Sequence, residues 1–373
     1  MTFPRLFPVP VLFLVAACGG APAKPAETAS GPAPATSAEP TAGAAPADAV
    51  APAPGGRDPK IAALAKAALD CKFEEGSFDS DCPAYKAWSE EEPLFEEGHG
   101  DDTVFSMLGD PEHKVRVLAA EKDISAAYWE NKDHVKALIA LGKAEQDDNL
   151  SYKLGLHACA VDWQTLGLGA SLKDLAQHAP QPFRKALAYH LNESFQTPVV
   201  VEADQILIED AEQQVADTAV EGLGHGSTTE PLCKILTAQM ARNDFRHSTA
   251  LWAGSSVRCA GMKELVAAEL AKRIGDGGKV TKETGWDYIR AARNVCRADA
   301  PEVKKKGFEL ARKMVGAKDP DVRTRRHALD TLVECDPKAG AAVVATFVKD
   351  KDIGKDAKET LDELKKKAKK AKK

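Results

Sequence analysis

The sequence has few aromatic residues. Phe, Trp and Tyr make up 6% of the 373 residues, whereas apolar residues as a whole make up 44%, and alanine is prominent throughout. A sandwich of β-strands is normally rich in Val, Ile and Tyr, so this composition favours closely packed helices. The N-terminal apolar run, Leu6–Ala17, has about a dozen residues, against the roughly 20 that a helix needs to span a bilayer.

The sequence also lacks common catalytic motifs. It contains no H-E-x-x-H, G-x-S-x-G, C-x-x-C, S-x-x-K or Walker sequence. The glycines of GLGHG, from Gly222, are of the kind that bind phosphate, but they follow a helical stretch and not a strand. We interpret them as a helix terminus. No catalytic residue, enzymatic activity or cofactor is therefore predicted.

Two groups of polar residues have the composition of metal ligands. They are His157 with Cys159 and Asp162, and His99 with Glu97, Asp101 and Asp102. For the first group, a turn-facing histidine beside a buried thiol is the commoner arrangement. For the second, a solvated loop followed by a helix cap accounts for the residues. We predict no metal site at either.

Charge is unevenly distributed along the chain. The last nine residues, KKKAKKAKK, contribute +7 and Arg5 contributes +1, so the formal net charge of −6 leaves −14 for residues 18–364. An acidic body with a basic tail is unlike a nucleic-acid-binding protein, and we predict no nucleic-acid partner. The Lys-rich tail, residues 365–373, is either an arm for an anionic surface (lipid, acidic glycan or protein) or a solvated continuation of the last helix.

The N-terminal apolar segment ends in the sequence VAAC, residues 15–18. This sequence resembles the lipobox of bacterial lipoproteins, in which an aliphatic residue and two small residues precede the cysteine that becomes the lipidated first residue. Val15 stands where the lipobox usually has leucine, and two prolines interrupt the apolar run. The resemblance implies a signal peptide at residues 1–17, lipidation of Cys18 and attachment to a membrane through acyl chains. An ordinary secretory signal cut nearby, or a short membrane anchor, is the alternative.

The residue after Cys18 indicates whether a lipoprotein stays in the inner membrane or is transported to the outer membrane. In the lipoprotein family an aspartate at this position resembles an inner-membrane retention signal, and here the residue is Gly19. The resemblance therefore implies the cell envelope, at the periplasmic face of the outer membrane.

A segment of low complexity follows. Residues 19–56 are almost entirely Ala, Pro, Gly, Ser and Thr, with Val50 as the single large aliphatic residue. Such a segment cannot bury enough apolar surface to offset the entropy of ordering it, and fully extended it reaches on the order of 100 Å. We predict a lipidated cysteine and disordered tether over residues 18–57, then a Cys-containing helical cap over 58–100.

Seven cysteines remain beyond Cys18. An odd number in an oxidising compartment leaves at least one unpaired or intermolecular. Cys71 and Cys82 flank the turn-forming stretch KFEEGSFDSD, and we predict a disulfide between them that closes this short loop. A metal site is the alternative for this pair, but ten intervening residues and no adjacent histidine argue against it.

A helical motif recurs beyond residue 101. DPEHKVRVLAAE, from Asp110, resembles the first helix of a HEAT repeat, with an Asp-Pro turn, then Val-Arg and an Ala-rich apolar face. DAEQQVADTAVEGLG, from Asp210, keeps the spacing with Ala216 in place of arginine, and DPDVRTRRHALDTLVE, from Asp319, keeps Asp-Pro and Val-Arg but is two residues shorter. A lone helix pair cannot bury such a face, so the resemblance implies an all-α fold in which stacked pairs form a right-handed α-solenoid over residues 101–364.

Cysteines near the ends of helical stretches support this period. They are Cys159, Cys259, Cys296 and Cys335, the last three of which are 37 and 39 residues apart. We predict helix pairs at 112–147, 150–177, 181–208, 210–242, 245–274, 282–315 and 320–349, and a last helix from about 352. VVVEA, from Val199, is the one hint of an extended piece.

The same spacing bears on whether Cys159, Cys259, Cys296 and Cys335 form disulfides. Stacked helices lie 8–10 Å apart and a disulfide needs α-carbons within about 7 Å, so we interpret these four cysteines as buried thiols.

Function is implied mainly by the resemblance. HEAT-like folds mostly serve as interaction scaffolds, which implies a membrane-anchored, non-enzymatic scaffold for another envelope protein, with an acidic surface that favours basic partners. The alternative is a ligand- or metal-binding protein, possibly an enzyme, with its site in the concave groove of the solenoid. The histidines near that groove would be His157, His190, His225 and His247.

Overall fold

Helices dominate the computed structural model of this chain. The structure describes residues 58–90, 100–194, 196–226, 229–275, 280–317 and 321–370. The predicted signal peptide, Cys18, the tether and His99 lie outside these residues.

The N-terminal part combines short helices with one small hairpin. Its elements are α1 (Pro59–Leu69), β1 (Phe73–Glu74), β2 (Ser77–Phe78), α2 (Pro83–Glu90), α3 (Asp101–Leu108), α4 (His113–Ala119), a 3₁₀ turn (Ala126–Glu130) and α5 (Lys132–Ala144). The two strands pair antiparallel, and the turn residues Glu75 and Gly76 both have positive φ, as a two-residue hairpin turn requires. Cys71 and Cys82, the pair that the sequence analysis joins, are disulfide-bonded across the base of this hairpin.

The rest of the described chain is a succession of helices. They are α6 (Asp148–Cys159), α7 (Gly169–His178), α8 (Gln181–Ser194), α9 (Pro198–Ile208), α10 (Gln213–Leu223), α11 (Glu230–Met240), α12 (Arg246–Ser256), α13 (Met262–Gly275), α14 (Lys282–Val295), α15 (Pro301–Gly316), α16 (Val322–Cys335), α17 (Pro337–Ala345) and α18 (Gly354–Lys370). Each predicted helix pair corresponds to two of these helices, and the first pair, α4 and α5, also contains the 3₁₀ turn. The all-α expectation is confirmed for the described residues.

The hint of an extended piece at VVVEA was wrong, because this stretch lies in α9. The side chain of Thr197 accepts a hydrogen bond from the backbone N–H of Val200, and Pro198 occupies the first turn. A capped N-terminus with proline at its start favours a helix. The β-branched residues are accommodated since Val200 lies in the core.

Alternate helices contact one another. In what we call the even layer, α6, α8, α10, α12, α14, α16 and α18 contact in that order, while the odd layer contains the contacts α5 with α7, α7 with α9, α11 with α13 and α13 with α15. Each even-layer helix also contacts the odd-layer helix next to it in sequence. Apolar side chains such as Leu187, Val215 and Leu236 fill the space between helices and are fully buried.

Partly buried arginines repeat near the start of three even-numbered helices. Each guanidinium donates to a carbonyl of the preceding turn and to a carboxylate further along the chain. The sets are Arg116 with Asp110 and Glu145, Arg184 with Ala179 and Asp210, and Arg325 with Val315 and Asp350. Arg116 and Arg325 both lie six residues after the aspartate of their Asp-Pro turn. The arginine of the last motif that corresponds to Arg116 is thus Arg325, and not the Arg323 of its Val-Arg pair.

Two helices approach closely at GLGHG. Gly222 lies in the last turn of α10, where a Cβ atom would overlap the carbonyl oxygens of Ala188 and Tyr189 on α8. Gly224 follows as the C-cap residue. These glycines therefore end the helix, as predicted, and also allow α8 and α10 to pack.

The interpretation of four cysteines as buried thiols was wrong for three of them. Cys259 is bonded to Cys233, and Cys296 is bonded to Cys335, with α-carbons 5.9 and 5.0 Å apart. Helix-axis spacing was the wrong measure, because residues that face each other across neighbouring helices lie closer than the two axes. Cys159 alone among the seven is a free, buried thiol.

Candidate interaction surface

A row of aromatic, histidine and arginine side chains crosses the even layer. We call this row the stripe, and its members are Tyr189, His225, Trp252, Trp286, Arg290, Arg323 and His327. Trp286 and Arg290 are four residues apart on α14, as are Arg323 and His327 on α16, so each pair lies on one helix face. The contacts described below join α8, the turn after α10, α12, α14 and α16 in that order.

The centre of the stripe is Arg290 stacked on Trp252. The guanidinium carbon lies 3.5 Å from the ring centroid, and a guanidinium nitrogen lies 3.9 Å from a carboxylate oxygen of Glu221 on α10. Trp252 is only 6% exposed, whereas the Arg290 side chain is 30% exposed. Arg290 thus covers the indole and presents its charge at the surface between a carboxylate and an aromatic ring, a favourable cation–π arrangement.

Aromatic contacts extend the stripe in both directions. The Tyr189 hydroxyl lies 3.1 Å from Nε2 of His225, whose ring centroid is 5.6 Å from that of Trp252. In the other direction, the Trp286 ring contacts the His327 ring at 4.7 Å and the Arg323 guanidinium at 4.3 Å. Arg290 lies 5.9 Å from the Trp286 ring and links the two parts, so the stripe is a continuous chain of side-chain contacts from α8 through the turn after α10 to α12, α14 and α16.

Carboxylates and hydroxyls lie beside the centre of the stripe. Thr249 donates to Asp217 at 2.6 Å, and Ser248 donates to Asp287 at 3.0 Å. Burial raises the pKa of Asp287 to about 6 and also raises the pKa of Asp217. Together with Glu221, these groups place three carboxyl groups at the centre of the even layer, and Asp287 is about half protonated near pH 6.

A groove of about 390 Å³ lies between α14, α16 and α18. Its charged lining residues are Arg293, Arg326, Lys367, Asp330, Glu334, Asp356, Glu359 and Glu363. Arg326 pairs with Asp356 at 2.9 Å, and Arg293 pairs with Glu334. Five carboxylates against three basic groups extend the acidic character of this layer to its C-terminal end.

The four histidines of the alternative hypothesis do not converge. His157 is buried against Trp129, and desolvation lowers its pKa to about 4. His190 contacts Tyr152, and His247 contacts Tyr288. Only His225 belongs to the stripe. Within the described part of the chain, no group of three or more His, Cys, Asp and Glu residues could hold a metal ion.

The stripe was missed by sequence reasoning. Its only sequence signal is the pair of four-residue spacings, Trp286 to Arg290 and Arg323 to His327, which are common on any helix surface.

The residues considered as metal ligands in the sequence have ordinary structural places. Cys159 lies at the end of α6 and Asp162 in the following turn, and the Cys159 thiol donates to the carbonyl of Gly155. Asp101, in the first turn of α3, accepts hydrogen bonds from Ser125.

Comparison with known proteins adds little. No known protein family and no curated protein matches the sequence. The crystal structure of an engineered protein from the Northeast Structural Genomics Consortium aligns with 82% of this chain and 88% of its own, at 14% sequence identity and a TM-score of 0.35. From its own helices and contacts, the chain is an all-α protein with a helical-repeat-like fold. None of the helices described here is long and apolar enough to cross a membrane.

Proposed function

We propose that this protein is a membrane-anchored, non-enzymatic interaction scaffold of the cell envelope. In this proposal Cys18 carries the lipid and residues 18–57 are the tether. The described helices form a right-handed α-solenoid of HEAT-like pairs. The repeated contacts within the even layer and the recurring, partly buried arginines support the solenoid. The three disulfides suit an oxidising compartment, since such bonds are rare in the cytosol.

The stripe is the observation that carries the binding role. Tryptophan, tyrosine and arginine are the residues that most often dominate the binding energy of protein interfaces, and here they form one connected row. Aromatic residues make up only 6% of the chain, so the concentration of Trp and Tyr in the stripe is a local feature of the even layer.

The partner segment in this proposal is basic. Glu221 and Asp287 lie near Arg290, Asp217 shares the Thr249 hydroxyl with Asp287, and the neighbouring groove carries more carboxylates than basic groups. Opposite charge steers association and selects partners more than it adds affinity. Binding should accordingly weaken as salt rises.

A site-specific crosslink tests the stripe. A photoreactive amino acid replaces Trp286 in the lipidated protein, and a matched variant carries it at Lys305, which is exposed on α15 of the odd layer. We expect one defined envelope protein to crosslink from position 286 and not from 305. Equal crosslinking from both positions, or none from 286 while the protein remains folded, would contradict the proposed surface.

Lipidation is tested separately. The N-terminal peptide of the wild-type protein should begin at Cys18 with the mass of attached acyl chains, and the protein should fractionate with membranes. The variant Cys18→Ser should lack this mass and leave the membrane fraction. An unmodified Cys18 in the wild-type protein would refute the anchor without bearing on the stripe.

A further inference from the structure

The last helix extends beyond the packed part of the chain. α18 buries Gly354, Ala357 and Thr360 in its first half, and Leu364 is its last partly buried residue. From there the helix continues to Lys370 with every residue exposed. Six exposed helical residues correspond to about 9 Å of helix length.

This exposed segment is almost pure lysine. Five of its six residues are lysines, and Ala368 is the sixth. At 100° per residue, the lysines cover an arc of about 200° around the helix. Among the described residues, these lysines make one ion pair, between Lys365 and Asp362 at 2.9 Å, and Lys367 also lines the groove between α14, α16 and α18. One or two lysines would be enough to balance the C-terminal end of a helix dipole, so this density requires another explanation.

We propose that the C-terminal third of α18, residues 365–370, binds the anionic headgroups of a lipid bilayer. Residues 365–373 contain no aromatic or large aliphatic side chain, and such side chains supply the central anchors of specific protein interfaces. The segment thus offers charge over a broad arc without an apolar anchor. A diffuse anionic surface matches this arrangement, since each basic residue near it contributes favourably without a fixed geometry.

The separation of charge between the body and the tail favours the same contact with the bilayer. The formal charge of residues 18–364 is −14, so an anionic bilayer repels the body and attracts the tail. The lysine segment is then the part of the folded chain that touches the membrane, and the stripe, which lies on other helices, stays available to a partner. This contact depends neither on lipidation of Cys18 nor on the stripe's partner.

Vesicle partitioning tests the proposal. The full-length protein is mixed with vesicles of phosphatidylcholine alone or of phosphatidylcholine with phosphatidylglycerol, and the ratio of the two partition coefficients is measured. Any N-terminal anchor contributes to both and largely cancels. We expect a ratio of about tenfold or more at low salt, decreasing as salt rises. The triple variant K365Q/K366Q/K367Q should reduce the ratio to about a third or less.

The chain contains a matched control. Lys304, Lys305 and Lys306 are three consecutive exposed lysines on α15, and K304Q/K305Q/K306Q changes the net charge by the same amount. We expect this control to keep the wild-type ratio, and the replacement of the tail lysines by arginine to keep it as well.

Three outcomes would overturn the proposal. The first is a wild-type ratio of partition coefficients near one, and the second is an equal decrease of the ratio in the tail variant and in the control. The third is a tail variant that keeps the wild-type ratio but self-associates less than wild type when sedimented without vesicles. The last would assign the segment to the acidic surface of a second copy. Circular dichroism and thermal melts confirm that all variants are folded.

Discussion

The central guanidinium carbon of Arg290 on α14 lies 3.5 Å from the ring centroid of Trp252 on α12. This contact joins two neighbouring even-layer helices and reaches Glu221 on a third. The contact between Arg290 and Trp252 is therefore part of the surface stripe and also part of the packing between helices. Its loss should lower the stability of the protein.

Replacement of Arg290 by alanine should lower the free energy of unfolding by about 1–2 kcal/mol, because a partly desolvated cation–π contact is lost. Urea denaturation followed by circular dichroism measures this change. Arg312→Ala is the control, since Arg312 pairs only one turn away with Glu309 and both side chains are largely exposed. We expect the control to change stability by less than about 0.5 kcal/mol. Similar effects of the two substitutions would contradict the packing role of Arg290.

The buried Arg184–Asp210 pair should be more sensitive. The two side chains are 14% and 7% exposed and make two hydrogen bonds to each other. Arg184→Ala leaves the largely buried Asp210 carboxylate without its charged partner, with the backbone N–H of Glu212 still donating to it, and should cost about 2–3 kcal/mol. The exposed pair of Lys143 with Asp174 provides the comparison, and Lys143→Ala should cost less than about 1 kcal/mol. A small effect of Arg184→Ala would mean that Asp210 finds water or another donor.

The disulfides should differ in their contributions. The Cys296–Cys335 bond closes a separation of 39 residues, and the Cys71–Cys82 bond closes 11. In the chain-entropy account, loss of the longer crosslink costs about 4 kcal/mol and loss of the shorter about 3 kcal/mol. Paired Cys→Ser variants and denaturant titration measure both. The reverse order would indicate that residual structure in the unfolded chain, and not loop entropy, decides the contributions.

Thiol counting checks the pairing itself. In the unfolded, unreduced protein, one of the seven cysteines after Cys18 should react with a thiol reagent, and peptide mass spectrometry should identify it as Cys159. In the folded protein the same thiol should be inert, because it is only 5% exposed and burial raises its pKa well above the usual value. Reaction at Cys233 or Cys259 in the unreduced protein would contradict the Cys233–Cys259 bond.

Asp204 should make stability depend on pH. Its side chain on α9 is 2% exposed, and desolvation raises its pKa to about 8. An unfolded aspartate titrates near 3.9, so between about pH 4 and 8 the folded chain holds a proton that the unfolded chain has released. The free energy of unfolding therefore falls as pH rises through this range and then levels off.

Asp204→Asn removes this dependence, because the amide is uncharged in both states. The variant should gain stability relative to wild type as pH increases from 4 to 8, as measured by thermal melts at several pH values. The exposed Asp299→Asn is the control and should follow the wild-type profile. Parallel profiles of Asp204→Asn and wild type would show that Asp204 ionises freely in the folded chain.

Local sequence determined where the helices lie. The predicted pairs beyond residue 112 correspond to the observed helices because apolar periodicity, caps such as Asp321, and Asp-Pro turns act within a few residues of one another. The Cys71–Cys82 pairing is local in the same sense, since only one short turn separates the two residues. VVVEA is the exception, where a capped N-terminus outweighed the β-propensity of three valines.

Only the tertiary structure decided which residues meet across helices. The crossing geometry of two helices sets which side chains face each other, and it depends on packing along their whole length. It brings Cys296 to Cys335, selects Arg325 over Arg323 for the buried arginine position, and places Arg290 on Trp252. The helices of this protein could thus be read from periodicity, whereas its two longer disulfides and the contacts between elements in its stripe join residues 26 to 41 positions apart, which no local pattern encodes.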